Sequence, residues 1–197
     1  MKQFVKHIAL FLIFSLILAG NVAAQRISFG TYASGDIILT QINGTGLNFN
    51  DKEPVIVGGQ TVTINLADNA TTVMAIEAQA NLDVTVTIDA PANLSLSSNN
   101  IPLKLGLAYS NVGKSGEADA KVASVLVPNG FTSITFPVLR RASGVPAPPP
   151  TPNHVGYTAP RATAYLFIYG TLGPVPTGAA AGMYTGQINI RVEYTKY

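Results

Sequence analysis

The chain has no cysteine and no tryptophan, and only 11% of its 197 residues are charged. Without cysteine there is no disulfide, no thiolate nucleophile and no cysteine-ligated metal. Stability must then rest on apolar burial and backbone ladders. Histidine is scarce too, with His7 and His154 alone. His154 lies in a proline-rich stretch with no nearby Asp or Glu to orient it, so it is read as solvated rather than as a base or ligand. No serine sits in a Gly-x-Ser-x-Gly elbow. Gly113-Lys114-Ser115 has the end of a phosphate-binding loop, but Ala108 stands where its first glycine is needed. Asn48, Asn50, Asp51 and Glu53 offer oxygen ligands of the kind Ca²⁺ takes, yet the EF-hand spacing, its glycine and its distal Glu are missing. That loop is read as a solvated turn. No catalytic, cofactor-binding or metal-ligating residue is nominated, and the chain is expected not to be an enzyme.

What is present begins with a leader. Lys2 and Lys6 precede an apolar run from Ile8 to Ala19, and Val22-Ala23-Ala24 supplies small residues for cleavage. This predicts a cleaved signal peptide over 1–24, with Gln25 the first mature residue. The apolar run is too short to cross about 30 Å of hydrocarbon. Export to the periplasm, the cell surface or the exterior is expected. Of twelve Lys and Arg, two (Lys2 and Lys6) lie in the leader, which leaves ten against ten Asp and Glu. A neutral mature chain carries no electrostatic footprint for nucleic acid or anionic lipid, and little protection against self-association.

The mature chain, 25–197, is of a size for one domain. Short strand signals recur along it. Leu82, Val84, Val86 and Ile88 alternate with Asp83, Thr85, Thr87 and Asp89, and Val62, Ile64 and Leu66 alternate with Thr61, Thr63 and Asn65. Side chains of a strand point to opposite faces with period two. Met74 to Ala78, Ile101 to Tyr109, Val122 to Val127 and Ile134 to Val138 read as further strands. Ala164, Leu166 and Ile168 interleave with Tyr165, Phe167 and Tyr169, so that strand should be covered on both faces and central in its sheet. The nearest approach to a helix is one turn over Gly116–Lys121. About ten short strands between turn signals predict an all-β fold, an antiparallel Ig-like β-sandwich with Greek-key connections. A proline-rich loop near 140–160, with five prolines between Arg140 and His154, cannot join a ladder. It is a surface connection or a partner contact.

The chain closes on Gln187 to Tyr194, where Ile188, Ile190, Val192 and Tyr194 alternate with Gln187, Asn189, Arg191 and Glu193. A small outer-membrane barrel would need its apolar face in phase with the terminal aromatic. The face shared with Tyr197 instead carries Thr195, Glu193, Arg191 and Asn189, which lipid would not accept. Ile27-Ser28-Phe29-Gly30 near the mature start, and Ala181-Gly182-Met183-Tyr184-Thr185-Gly186 before the last strand, resemble elements of secreted bacterial pilin-like domains. The combination resembles the secreted β-domain family known as domain of unknown function 4402, and more distantly spore-coat-U and chaperone–usher fimbrial subunits. The resemblance implies an Ig-like sandwich with an exported surface or fimbrial role, and it carries over no catalytic residue. The missing disulfide and the proline-rich loop depart from that pattern.

The expected function is therefore that of an exported structural, surface or fimbrial-like protein. If it polymerises, the route is strand addition to itself or another exported β-domain. Ile27 and Phe29 are the candidate donor anchors. Ile188, Ile190, Val192 and Tyr194 form the candidate acceptor strand. The alternative is that both ends pair within one monomer. Another class is a carbohydrate- or matrix-binding module using Tyr109, Tyr157, Tyr165 or Tyr169, although a strand aromatic is more often core.

Overall fold

Where the sequence alternates, the chain is extended and its apolar parity is buried. Residues 25–44, 46–55, 58–114, 116–142, 146 and 156–195 are described by a computed structural model. The expected leader (1–24), His154, Tyr197 and most of the proline-rich segment lie outside the described residues. The strands are Arg26–Ala33 (β1), Ile38–Gln41 (β2), Leu47–Asn48 (β3), Val62–Ile64 (β4), Thr72–Gln79 (β5) and Asp83–Asp89 (β6). They continue as Asn93–Leu96 (β7), Asn99–Ser110 (β8), Val125–Val127 (β9), Ser133–Pro137 (β10), Arg161–Leu172 (β11) and Thr185–Tyr194 (β12). One helix, Glu117–Val122 (α1), and a 3₁₀ turn at Phe49–Asp51 complete the described elements.

The twelve strands form one curled sheet, ordered β10–β6–β12–β7–β8–β11–β5–β2, with β1, β3, β4 and β9 attached along it. The long strand β8 joins its two halves. Asn99–Pro102 pair with β7, and Leu103–Ser110 pair with β11. In the first half β12 lies between β6 and β1. In the second, β11 lies between β8 and β5.

The sheet is mixed, which corrects the all-antiparallel expectation. β1 and β12 run parallel over all eight residues of β1. Alternation reports which face a residue takes and is blind to strand direction. A parallel pair needs a long crossover, and here almost the whole domain lies between the two partners.

The inner parities of both halves meet in one core. Val84, Val86 and Ile88 of β6 and Ile188, Ile190 and Val192 of β12 cluster with Met74, Ile76 and Ala78 of β5 and Leu166 and Ile168 of β11. Each Val, Leu, Ile or Met among them contributes about 1.5–3 kcal/mol by leaving water. The outer face of β11 is covered as well. Tyr165 and Phe167 join Val73, Ala108 and Ala120 in a second cluster beneath α1. The reading of β11 as a central strand covered on both faces agrees with this. Glu117 and Asp119 at the start of α1, and Lys121 near its end, suit the helix dipole.

Two expected strands are shorter than their apolar runs. Val122 ends α1, so only Val125–Val127 of that run is extended. Leu66 falls outside β4 because the Asp68 carboxylate accepts a 2.8 Å hydrogen bond from the Asn65 amide and turns the chain there.

Candidate functional site

The nominated assembly residues meet in one seam of a single chain. In the β1–β12 register Phe29 lies beside Ile188, Thr31 beside Ile190 and Ala33 beside Val192. Ile27, Ile188 and Val192 are fully buried, Ile190 nearly so, and Phe29 packs half-buried against the same core. Donor and acceptor thus pair with each other. On its far edge β1 is paired to β3 through Arg26 and Ile27 only. From Ser28 to Ala33 that edge has no ladder partner among the described residues. β1 is therefore an edge strand, held for most of its length by one neighbour.

The lead-in to β12 has a packing reason. Tyr184 is buried, and its hydroxyl donates to the Ala180 carbonyl at 3.0 Å. A Cβ at Gly186 would lie 2.7 Å from the tip of the Leu94 side chain and 3.2 Å from Pro91, so glycine here lets Leu94 pack directly against the β12 backbone.

A polar clamp locks the turn that follows β1. Asp36, in that turn, accepts from the Tyr194 hydroxyl at 2.7 Å and from the Arg161 guanidinium at 3.0 Å. Arg161 also donates to the Asp36 carbonyl at 2.9 Å and to the Glu77 carboxylate at 2.8 Å. Tyr194 in turn accepts from the Gln79 amide at 3.1 Å. Partial burial pushes the Asp36 carboxyl up, but the hydrogen bonds from Tyr194 and Gln79 and the charge of Arg161 outweigh it and hold Asp36 below its ordinary value. Burial, then the bond to Asp36, raises the Tyr194 phenol to about 12. Of these residues the sequence nominates Tyr194 alone. Asp36, Glu77, Gln79 and Arg161 come from different strands and turns, and no local pattern unites them.

The opposite parity of β12 faces solvent. Gln187, Asn189 and Arg191 lie beside Ser28, Gly30 and Tyr32 of β1. The Arg191 guanidinium sits 4.9 Å above the Tyr32 ring and 3.0 Å from Glu193.

The four tyrosines nominated for a glycan contact separate. Tyr109 stacks on Phe136 with centroids 4.3 Å apart, and Tyr165 is buried under α1. Tyr157 is exposed, and Tyr169 is half-buried at the edge of an open cavity. The oxygen-rich loop is committed internally. Asn48 accepts from the Asn50 amide and donates to Asp51, Asn50 accepts from the Val55 amide, and Glu53 accepts from Gln60. Among the described residues no group of three or more His, Cys, Asp or Glu is placed to hold a metal ion. No described helix is long and apolar enough to cross a membrane.

No protein-family model matches this chain, and no curated protein is similar enough to it to count as a relative.

Proposed function

We propose that this protein is a non-enzymatic, exported structural protein of the cell surface or a fimbria-like assembly, built as an Ig-like β-sandwich. In this reading copies join by exchanging β1. The observation that carries it is the placement of β1: the first strand after the expected cleavage site, at a sheet edge, parallel to the last strand and held almost wholly by it. A neighbour's β1 would reproduce the same eight-residue register against β12. Main-chain hydrogen bonds would supply affinity, and Ile27 and Phe29 would set the register. Exchanging an identical element between copies costs little, since the contacts made equal those lost. The pilin-like resemblance belongs to the same proposal.

The test is size-exclusion chromatography and electron microscopy of residues 25–197, beside a variant lacking 25–30. Ordered oligomers from the first and a folded monomer from the second are expected. A monomer at every concentration, or global unfolding on deletion, overturns the reading.

A further inference from the structure

On the outer face of β11 and β8, beyond the edge of α1, the sheet opens into a cavity of about 690 Å³. That lies within the roughly 300–1,000 Å³ range of small-ligand sites. Its aromatic wall is Tyr169. The cross-strand neighbour of Tyr169 is Gly106, and a Cβ at Gly106 would overlap the Tyr169 ring. The ring therefore lies across the backbone of β8, a flat apolar surface at the cavity edge. Tyr165 and Phe167 continue the same stripe but are sealed beneath α1. Tyr169 is the one aromatic of the three that remains half-exposed.

Polar groups ring this surface. The Thr63 and Thr171 hydroxyls are 3.0 Å apart on neighbouring strands. The turn residues Asn65 and Asn129 and the cationic residue Lys104 line the cavity too, all exposed. The side chains of Asn65, Asn129 and Lys104 make no hydrogen bond or ion pair with any described residue. Among the described residues that line the cavity, Lys104 is the only Lys or Arg, and none is Asp or Glu.

We propose that this cavity binds a uronate-bearing oligosaccharide, with one sugar ring stacked on Tyr169 and its carboxylate paired with Lys104. An aromatic plane suits the apolar C–H face of a pyranose. Side-chain amides both donate and accept, as a run of hydroxyls requires. That cation, with no acid among the described residues lining the cavity, selects an acidic sugar over a neutral one. A wholly apolar ligand would bury those amides and the ammonium without partners, at a cost. A nucleic acid strand would call for a row of cations where there is one. This inference is independent of strand exchange, because β1 and β12 contribute nothing to the cavity.

The test is an NMR titration of the ¹⁵N-labelled mature protein with hexameric oligogalacturonate, and with cellohexaose as the neutral counterpart. Saturable shifts centred on Lys104, Asn129 and Tyr169 are expected with the acidic hexamer, with far weaker effects from the neutral one. Lys104→Gln, at an exposed position, should weaken binding about tenfold, the scale of one charge-assisted hydrogen bond. Tyr169→Phe keeps the ring and should stay within about twofold, as expected of a contact made by the aromatic face. Lack of saturable binding by the folded protein, equal affinity for the two hexamers, or indifference to Lys104→Gln overturns the proposal.

Discussion

The hydroxyl of Tyr194, at the end of the last strand, donates a 2.7 Å hydrogen bond to the carboxylate of Asp36, in the turn leaving the first. The bond joins the two ends of the described chain beside the seam where β1 and β12 pair. It also ties the strength of that closure to pH from both sides.

The Tyr194 phenol should ionise at about 12 in an ultraviolet titration, and Tyr194→Phe should remove that step. Folding favours the neutral phenol. Its contribution is therefore complete below the ordinary tyrosine range and is lost as pH rises through about 12. Asp36 behaves oppositely. Its folded carboxyl is held low, so its contribution is complete above the ordinary carboxylate range and is lost as pH falls through the depressed value. Urea midpoints against pH should show Tyr194→Phe flattening the alkaline limb and Asp36→Asn the acid limb. At neutral pH Tyr194→Phe should cost about 0.5–1 kcal/mol, the lower end for a partly solvated hydrogen bond. Unchanged limbs would show the clamp to be energetically idle.

Adjacent residues of β12 should differ sharply. Ile190 is buried in the common core, whereas Asn189 faces solvent beside Gly30. Ile190→Ala should cost about 2–5 kcal/mol, from lost burial plus the cavity left behind. Asn189→Ala should stay within about 0.5 kcal/mol. Chemical denaturation of the two variants measures both. Equal losses would mean that the strand's register is wrong by one residue.

Gly46 precedes β3, the short strand that pins the start of β1. Its φ is +154°, and a Cβ there would run into the Ile27 carbonyl. Gly46→Ala should cost more than about 1 kcal/mol. The loss should be localised, with amide hydrogen exchange speeding up in β1 well before β6. Uniform acceleration in both strands would argue that β1 opens only when the whole domain unfolds.

Much of this fold is legible in the sequence, for a local reason. The Val84, Val86, Ile88 face of β6 and the Ile188, Ile190, Val192 face of β12 turn inward because consecutive Cβ atoms alternate. Solvation then decides which face is buried. The double covering of β11 is legible too, since Ala164 to Tyr169 offers no polar face. Less legible is the cavity beside Tyr169. In the sequence Tyr165, Phe167 and Tyr169 are equivalent, and the cluster beneath α1 covers the first two while the last stays in contact with solvent.

By itself the sequence determined the class of structure, the strand faces and most of the turns, because these depend on backbone geometry within a few residues. The tertiary structure decided that β1 runs parallel to β12, and that the Tyr194 hydroxyl donates a hydrogen bond to the Asp36 carboxylate 158 positions away. Those pairings join segments separated by nearly the whole domain. Main-chain hydrogen bonds, being alike at every residue, leave no mark in a sequence of which partner a strand takes or in which direction it runs.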